Sequence, residues 1–325
     1  MPLHGLSMFL GSLRCVAALN HDAKIDCIDA HFVYPDGLAA VLLGKYLNVP
    51  VTVSARGTDI NLFPSFRLIR PMIRWTLRHA DGLIAVSAAL RDAMVALGLL
   101  RDKIHLIPNA VDAAQFRPIP TLEARRRLNL PEVGPLVISV GSLIPAKGHQ
   151  LTIRAVTSVC NQFPSLRLYI IGEGSYRVEL EKLIKTLRLH ERVHLLGKLP
   201  NEELPFWFSA ASLSCLASSR EGWPNVVTES LACGTPVVAT RVGGIPEILN
   251  SPELGTLVEQ TSEAVAAGIA QSLSREWDRE AISRAASARA WETVAEEVEG
   301  VLFASLKPSA TQTKRSTSKT PDNFA

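Results

Sequence analysis

Short apolar runs without polar alternation recur along the chain, separated by stretches with helical periodicity. In the first part they are DCIDAHF (26–32), PVTVSARG (50–57), DGLIAVS (81–87) and IHLIPN (104–109). In the second they are PLVISVGSL (135–143), LRLYIIGEG (166–174), RVHLLGKL (192–199), LSCLAS (213–218) and PVVATRVGG (236–244). Runs of Val, Ile and Leu that are apolar on both sides suit strands buried on both faces. Helical patterns over 36–47, 147–163 and 177–189 lie between them. Strand–helix alternation of this kind predicts an α/β fold with parallel sheets and right-handed crossovers.

The rhythm breaks near RRRLNLPEVGP (125–135), where Pro131, Gly134 and Pro135 punctuate the chain before a new strand. The expected organisation is two doubly wound, Rossmann-like domains, 1–130 and 131–275. Ligands in such sheets bind beyond the carboxyl ends of the strands, so two facing domains enclose a cleft. Residues 262–306 read as a long amphipathic helical region. Its part over 276–306 is expected to pack back on the domains, with Trp277 and Trp291 set against them. Residues 307–325, rich in Ser, Thr, Lys and Pro, are expected to be a disordered tail.

Composition narrows the function classes. The chain is 47% apolar and 20% charged, enough to fill two cores, yet no apolar run approaches the ~20 residues that span a bilayer. The first twenty residues lack the basic lead and small-residue cleavage site of a signal peptide. The net charge of +3 sits in the tail: subtracting Lys307, Lys314, Arg315, Lys319 and Asp322 leaves 30 bases and 30 acids. A neutral folded part argues against nucleic acid as the partner. Cys15, Cys27, Cys160, Cys215 and Cys233 are odd in number and form no C-x-x-C pair. They are expected to be small buried apolar residues in a reducing cytoplasm, with neither zinc nor a disulfide framework.

The candidate chemistry centres on SREGWPNVVTESLACGTP (219–236), which places Glu221 and Glu229 eight residues apart. Pro224 suits the first turn of a helix and Gly234 its end. Glu221 then lies in the entry loop and Glu229 more than a turn inside. Between them the free N–H groups of Asn225, Val226 and Val227 make an anion site at the helix start. A nucleotide-sugar has a matching layout of sugar, diphosphate and ribose. The alternative is structural: Glu221 as a first-turn charge and Glu229 as a solvated helix residue. SVGSLIPAKGHQ (139–150) offers Gly141 and Ser142 in a turn and Lys147 as a point charge for phosphate. IIGEGSY (170–176) adds Gly172 and Gly174 in a second turn. Glycines there also serve turn geometry, and a lysine there is also a plain surface charge. The phosphate-loop motif G-x-x-x-x-G-K-[ST], a G-x-S-x-G elbow and a metal-binding D-x-D are absent.

The stretch SREGWPNVVTESLACGTPVVATRVGGIPEI resembles the E-x7-E region of the retaining glycosyltransferases of family 4, which have the GT-B fold. VGSLIPAKGH, LYIIGEG and VHLLGKLPNEEL are similar to the preceding family segments, in order, so the resemblance spans about 135–250. Upstream, DAHFVYPDGLAAVLLGKYLNVPVTVSARGTDI, HADGLIAVSAALRD and IHLIPNAVDAAQFRP resemble the later half of the family's acceptor domain. The resemblance implies that Glu221 contacts the donor sugar, Glu229 the ribose and Lys147 the diphosphate, with backbone near Gly197 and Lys198 meeting the base. It also implies a sugar moved from a nucleoside diphosphate to a glycan or lipid-linked hydroxyl with retained configuration, and no metal. Glu221 would position the sugar rather than attack it.

Three departures from the family pattern stand out. Ser142 occupies a position where many members carry arginine. Arg56-Gly57-Thr58-Asp59 replaces His-Gly-x-Asp, and Arg56 either pairs with phosphate or bridges to Asp59. The first domain is expected to be incomplete, since the resemblance enters it partway. Outside these segments, Arg67, Arg70, Arg74 and Arg78 follow a 3-4-4 spacing that reads as one helix face. That face is either solvated or a peripheral contact with anionic lipid or a phosphorylated acceptor. His31 stands at a strand end near the cleft, as a substrate contact or a structural histidine. A sugar-nucleotide 2-epimerase and a non-catalytic donor-binding protein remain as other classes.

Overall fold

The computed structural model describes residues 2–306; the tail expected to be disordered lies outside them. The first half runs α1 (His4–Asp22), β1 (Ile28–His31), α2 (Leu38–Leu47), β2 (Val51–Ala55), α3 (Thr58–Asn61), α4 (Arg70–His79), β3 (Gly82–Ala85), α5 (Ala88–Ala96) and β4 (His105–Leu106). The second runs α6 (Thr121–Arg127), β5 (Leu136–Val140), α7 (His149–Val159), β6 (Arg167–Ile171), α8 (Arg177–Thr186), β7 (Val193–Gly197), α9 (Leu204–Ala210), β8 (Leu213–Leu216), α10 (Asn225–Ala232), β9 (Val237–Thr240), α11 (Ile245–Ile248) and β10 (Gly255–Val258). Three helices close the fold: α12 (Ser262–Leu273), α13 (Arg279–Ala286) and α14 (Trp291–Ser305).

The strands form two all-parallel sheets, ordered β1-β2-β3-β4 and β10-β9-β8-β5-β6-β7. Burial follows that order. The interior strands β2, β3, β5, β8 and β9 are buried at every position and interior β6 at all but Arg167, whereas the edge strands β1, β4, β7 and β10 are partly exposed. Parallel strands with helices on both faces carry apolar side chains on both sides, which is why these runs show no alternation. β10 escaped the sequence pattern for the converse reason: as an edge strand of four residues, GTLV, it needs no long apolar run.

Several boundaries differ from the sequence expectation. α1 was not foreseen; it packs on α2 yet leaves Met8, Leu10 and Leu19 exposed, so no clean apolar stripe marks it. The helix expected from 36 starts at Leu38, because Val33–Gly37 form a wider π-turn. The helix expected over 147–163 is a 3-10 turn at Pro145–Lys147 followed by α7, the two separated by Gly148 in the left-handed region (φ +71). The long helical region 262–306 is broken into α12, α13 and α14. Trp277 is half-buried, donating Nε1–H to Ser272 O at 2.9 Å. Trp291, expected to pack, is 42% exposed, because α14 turns Val294 and Val301 inward instead. Cys15 is exposed and Cys27 and Cys160 are half-buried, so of the five cysteines expected to be buried Cys215 and Cys233 are. Arg67 precedes α4, so only Arg70, Arg74 and Arg78 share its helix, although all four line one groove.

The crossing between halves comes before Pro131. Val111 and Phe116 already pack with the core of the second sheet, and α6 packs on α9. The chain returns at the end: Val294 and Val301 of α14 cluster with Ile84 and Ile107 of the first half. The halves also touch directly. Asn61 Nδ2–H donates to Glu221 O at 2.9 Å, and Trp223 packs against core residues of both sheets. Glu247 of α11 accepts the N–H groups of Ala88 (2.8 Å) and Ala89 (3.1 Å), neutralising the positive start of α5 from across the gap. At the centre Gly57 faces Gly222, and a Cβ on Gly222 would stand 2.0 Å from Arg56 O. Gly222→Ala is therefore expected to part the halves, raising the radius of gyration in small-angle scattering at unchanged circular dichroism. An unchanged radius would mean that the loops give way and the contact does not set the closure.

Candidate active site

The site forms where the carboxyl ends of the two sheets meet. Lys147 ends the 3-10 turn that follows β5, and Glu221 lies in the loop between β8 and α10. Lys147 Nζ is 2.6 Å from Glu221 Oε1, and Ser218 Oγ donates to the same oxygen at 2.7 Å. The side chains are 23% and 9% exposed, so the pair is largely desolvated and each charge depends on the other. From the opposite half, Arg56 Nε donates to His31 Nδ1 at 3.1 Å, with Nη2 against the same nitrogen, and Nη1 donates to Asn109 Oδ1 at 3.1 Å. Burial pulls the guanidinium below its ordinary range, against the raising influence of Asp29 and Asp59. The bridge from the Arg56 side chain to Asp59 does not form. The buried Asp59 carboxylate accepts instead the backbone N–H groups of Val33 and Gly57, both at 2.8 Å, and of Arg56 at 3.2 Å.

Arg56, Lys147 and Glu221 line one cleft of about 360 Å³, with Asn61, Arg220 and Trp223 among its walls. Three of its four charged lining side chains are cationic, which suits an anionic ligand. A neighbouring cavity of about 390 Å³, lined by Asn109, Thr228 and Glu247 among others, shares Trp223 as a wall but holds none of the three. The glycines cluster at the strand ends beside the cleft. Gly141 N–H donates to Ile171 O (2.9 Å) and Gly172 N–H to Gly197 O (2.8 Å), so the loops after β5, β6 and β7 are joined edge to edge. Gly172 and Gly174 are required by packing, since Cβ atoms there would meet Gly141 O at 2.0 Å and Leu143 O at 2.3 Å. Gly197 is open, with only Glu173 near, and Ser142 and Lys198 are exposed.

α10 starts after Pro224 without a side-chain cap. Val227 N–H donates to Pro224 O at 3.0 Å, leaving the N–H groups of Asn225 and Val226 as the ones without a partner among the described residues. Asn225 Oδ1 accepts from Asn109 Nδ2 at 3.0 Å. Glu229 lies outside the cleft lining, and its carboxylate has no hydrogen-bond or ion-pair partner among the described residues. Burial pushes its pKa up to about 7. Sequence reasoning missed Asn61, Asn109, Ser218 and Glu247. Asn61, Asn109 and Glu247 become visible only when two distant segments meet, and Ser218 carries no motif of its own. No group of three His, Cys, Asp or Glu side chains that could hold a metal occurs among the described residues.

A family model described as glycosyl transferases group 1 matches residues 121–289, just over half of the chain. The chain belongs to the group 1 glycosyl transferases. Its first part, residues 2–115, matches the Glycosyltransferase Family 4 model. This family member is 31% identical over 196 residues to the phosphatidylinositol N-acetylglucosaminyltransferase GPI3 subunit of Saccharomyces cerevisiae (strain YJM789), covering 60% of this chain and 43% of that protein. It is 35% identical over 227 residues to D-inositol 3-phosphate glycosyltransferase of Acidothermus cellulolyticus, covering 65% and 51%. The chain thus spans about half the length of these relatives. In fold it resembles Anabaena Alr3699/HepE, solved in complex with UDP, with a TM-score of 0.77 at 22% identity over 90% of this chain and 82% of that one. The two parallel sheets are those of the GT-B glycosyltransferases.

The Glu229 carboxyl gives this family member a pH signature. Its pKa is raised from 4.5 to about 7, so the ligand-free fold holds a proton that the unfolded chain has released. The associated stability is complete below pH 4.5 and is lost as pH rises through about 7. Glu229→Gln is expected to flatten that decline in thermal melts run from pH 5 to 8; a slope matching the unaltered protein's would place the carboxylate in a solvated setting.

Proposed function

We propose that the chain transfers a sugar from a nucleoside-diphosphate sugar to an acceptor hydroxyl of a glycan or lipid, with retained anomeric configuration. The observation that carries this reading is the convergence of Arg56, Lys147 and Glu221 in one cationic cleft beside the start of α10. Family membership supports it, as do the named activities of the yeast and Acidothermus relatives and the UDP held by the Anabaena protein. The sheet of β1–β4 faces the acceptor and that of β5–β10 holds the donor. Lys147, the N–H groups of Asn225 and Val226, and Arg56 meet the diphosphate. Glu221 takes the sugar hydroxyls and Glu229 the ribose. Backbone at Gly141, Gly172, Gly174, Gly197 and Lys198 shapes the rest of the donor site.

In the reaction the bond from the anomeric carbon to the phosphate oxygen breaks, and the acceptor oxygen bonds to the same face of that carbon. The acceptor proton passes to the departing phosphate. Fixed donors aimed at the phosphate stabilise its developing charge, commonly the largest catalytic contribution. Glu221 is poorly disposed as a nucleophile, because Lys147 and Ser218 both engage Oε1. When the donor is absent Lys147 pairs with Glu221; the diphosphate competes for the ammonium and frees the carboxylate for sugar hydroxyls. Glu229→Ala is expected to weaken nucleoside-diphosphate binding by about 1.5–3 kcal/mol through loss of charged hydrogen bonds, measured by calorimetry; unchanged affinity would remove the ribose assignment. Lys147→Ala is expected to cut turnover well beyond any change in thermal midpoint, in a panel of UDP- and GDP-linked sugars with inositol-based acceptors. Equal turnover would take Lys147 out of the site, and binding without transfer by the unaltered chain would leave only a donor-binding protein.

A cytoplasmic location with peripheral contact to an anionic membrane accompanies this reading. Arg67, Arg70, Arg74 and Arg78 line a groove of about 560 Å³ around Trp75 and His79, none has a carboxylate partner among the described residues, and Phe66 and Leu68 stand exposed beside them. No helix among the described residues is long and apolar enough to cross a membrane. Co-sedimentation with anionic but not neutral vesicles, weakening with salt, is the expected outcome; indifference to lipid charge would leave the groove a solvated face.

A further inference from the structure

We propose that His31 and Asn109 are positioning residues that hold the Arg56 guanidinium toward the leaving diphosphate, with Asp29 setting the orientation of the imidazole. The proposal rests on the glycosyl-transfer reading above. It is carried by a chain of polar contacts that crosses from one half of the molecule to the other. Asp29 Oδ2 lies 3.2 Å from His31 Nε2. His31 Nδ1 faces Arg56 Nε at 3.1 Å, Arg56 Nη1 reaches Asn109 Oδ1 at 3.1 Å, and Asn109 Nδ2 reaches Asn225 Oδ1 at 3.0 Å. The chain starts on β1 and ends on the residue that opens α10, the helix whose start offers two N–H groups without partners among the described residues.

The donor and acceptor inventory fixes what each member does. A guanidinium has N–H donors and no acceptor. The His31 nitrogen that faces it must therefore present a lone pair, which puts the imidazole proton on Nε2, where Asp29 accepts it. His31 thus works as a hydrogen-bond acceptor toward the guanidinium. Asn109 is the complement: its carbonyl oxygen takes the guanidinium and its amide ties that oxygen's position to α10. A guanidinium has five N–H donors in a rigid fork. With Nε and Nη2 held at His31 and Nη1 at Asn109, the second N–H of each terminal nitrogen is left in a fixed plane for phosphate oxygens. An arginine on a flexible stem would otherwise have to be ordered during the reaction, and donors already in place need no such reorganisation.

These roles differ from direct contact with the substrate, and a coupling test separates them. Steady-state kinetics with the full chain and the best donor of the panel would compare Arg56→Ala, His31→Ala, His31→Gln, Asn109→Ala and the double variant His31→Ala/Arg56→Ala. Thermal midpoints and UDP dissociation constants would be taken for each. Arg56→Ala is expected to lower kcat on the order of 100-fold, the scale of one lost charge-stabilising donor. His31→Ala and Asn109→Ala are each expected to lower kcat about 10-fold, with donor KM and the UDP dissociation constant moving less than about threefold, because they act through Arg56 on the transition state. His31→Gln, which keeps an acceptor, restores most of the loss. The double variant is no slower than Arg56→Ala alone, since residues that act as a unit are not additive.

Multiplying losses in the double variant, a His31→Gln as slow as His31→Ala, or an Arg56→Ala at full speed would each overturn the proposal while leaving glycosyl transfer intact. Should His31→Ala fail to fold, Asn109→Ala paired with Arg56→Ala supplies the same coupling from the other side of the guanidinium. Absence of transfer by the unaltered chain with every donor would sink the transfer reading and this proposal together.

Discussion

Two loops from opposite halves of the chain meet with no side chain between them: Arg56-Gly57 on one side, Glu221-Gly222 on the other. The rest of the site depends on that approach. A Cβ at Gly222 would fall inside the Arg56 carbonyl, and one at Gly243 would stand 2.0 Å from Glu221 O, so glycines at these positions let backbone stack on backbone. Asn61 then reaches the Glu221 carbonyl, and Trp223 seats its ring against both cores. The contact brings the Arg56 guanidinium and the Lys147–Glu221 pair to the walls of a single cleft.

The electrostatics of that cleft follow from the same closeness. Lys147 and Glu221 are too buried to be held by water, so each needs the other or a ligand. Arg56 has no carboxylate at ion-pair distance and is held by neutral acceptors on His31 and Asn109, so the more distant Asp29 and Asp59 offset its charge only in part. A site with this excess of positive charge is unfavourable when empty and is relieved by an anion. Glu229 shows the opposite condition: with no cation beside it, burial alone keeps it protonated up to about pH 7. A ligand that offered hydroxyl donors to this carboxylate would favour its charged form.

Much of the fold was legible in the chain. Nine of the ten strands lie within the apolar runs, since interior parallel strands must be apolar on both faces. The exceptions have local causes. β10 is a short edge strand, α1 carries no clean stripe, and the single helical run after residue 262 is cut where Asp278 and the segment before Trp291 restart the helix. The crossing was read at the proline-rich break near residue 131, whereas Val111 and Phe116 already belong to the second core. Punctuation marks where a strand begins; packing decides which sheet a segment joins.

What the sequence by itself determined is therefore local. It set the strand and helix rhythm, the helix start after Pro224 and the turn glycines, and it marked Glu221, Lys147 and Arg56 as candidates in the loops beside them. Each of these depends on residues close together in the chain, through steric and periodic rules that operate over a few positions. Only the tertiary structure decided the partners. Arg56 could have bridged to Asp59 three residues away; instead the aspartate is consumed by backbone N–H groups, and the guanidinium turns to His31 and Asn109. Glu247 caps a helix that lies 159 positions earlier in the chain. Such pairings are set by how two sheets dock, and docking is a sum of many weak contacts that no short stretch of residues encodes.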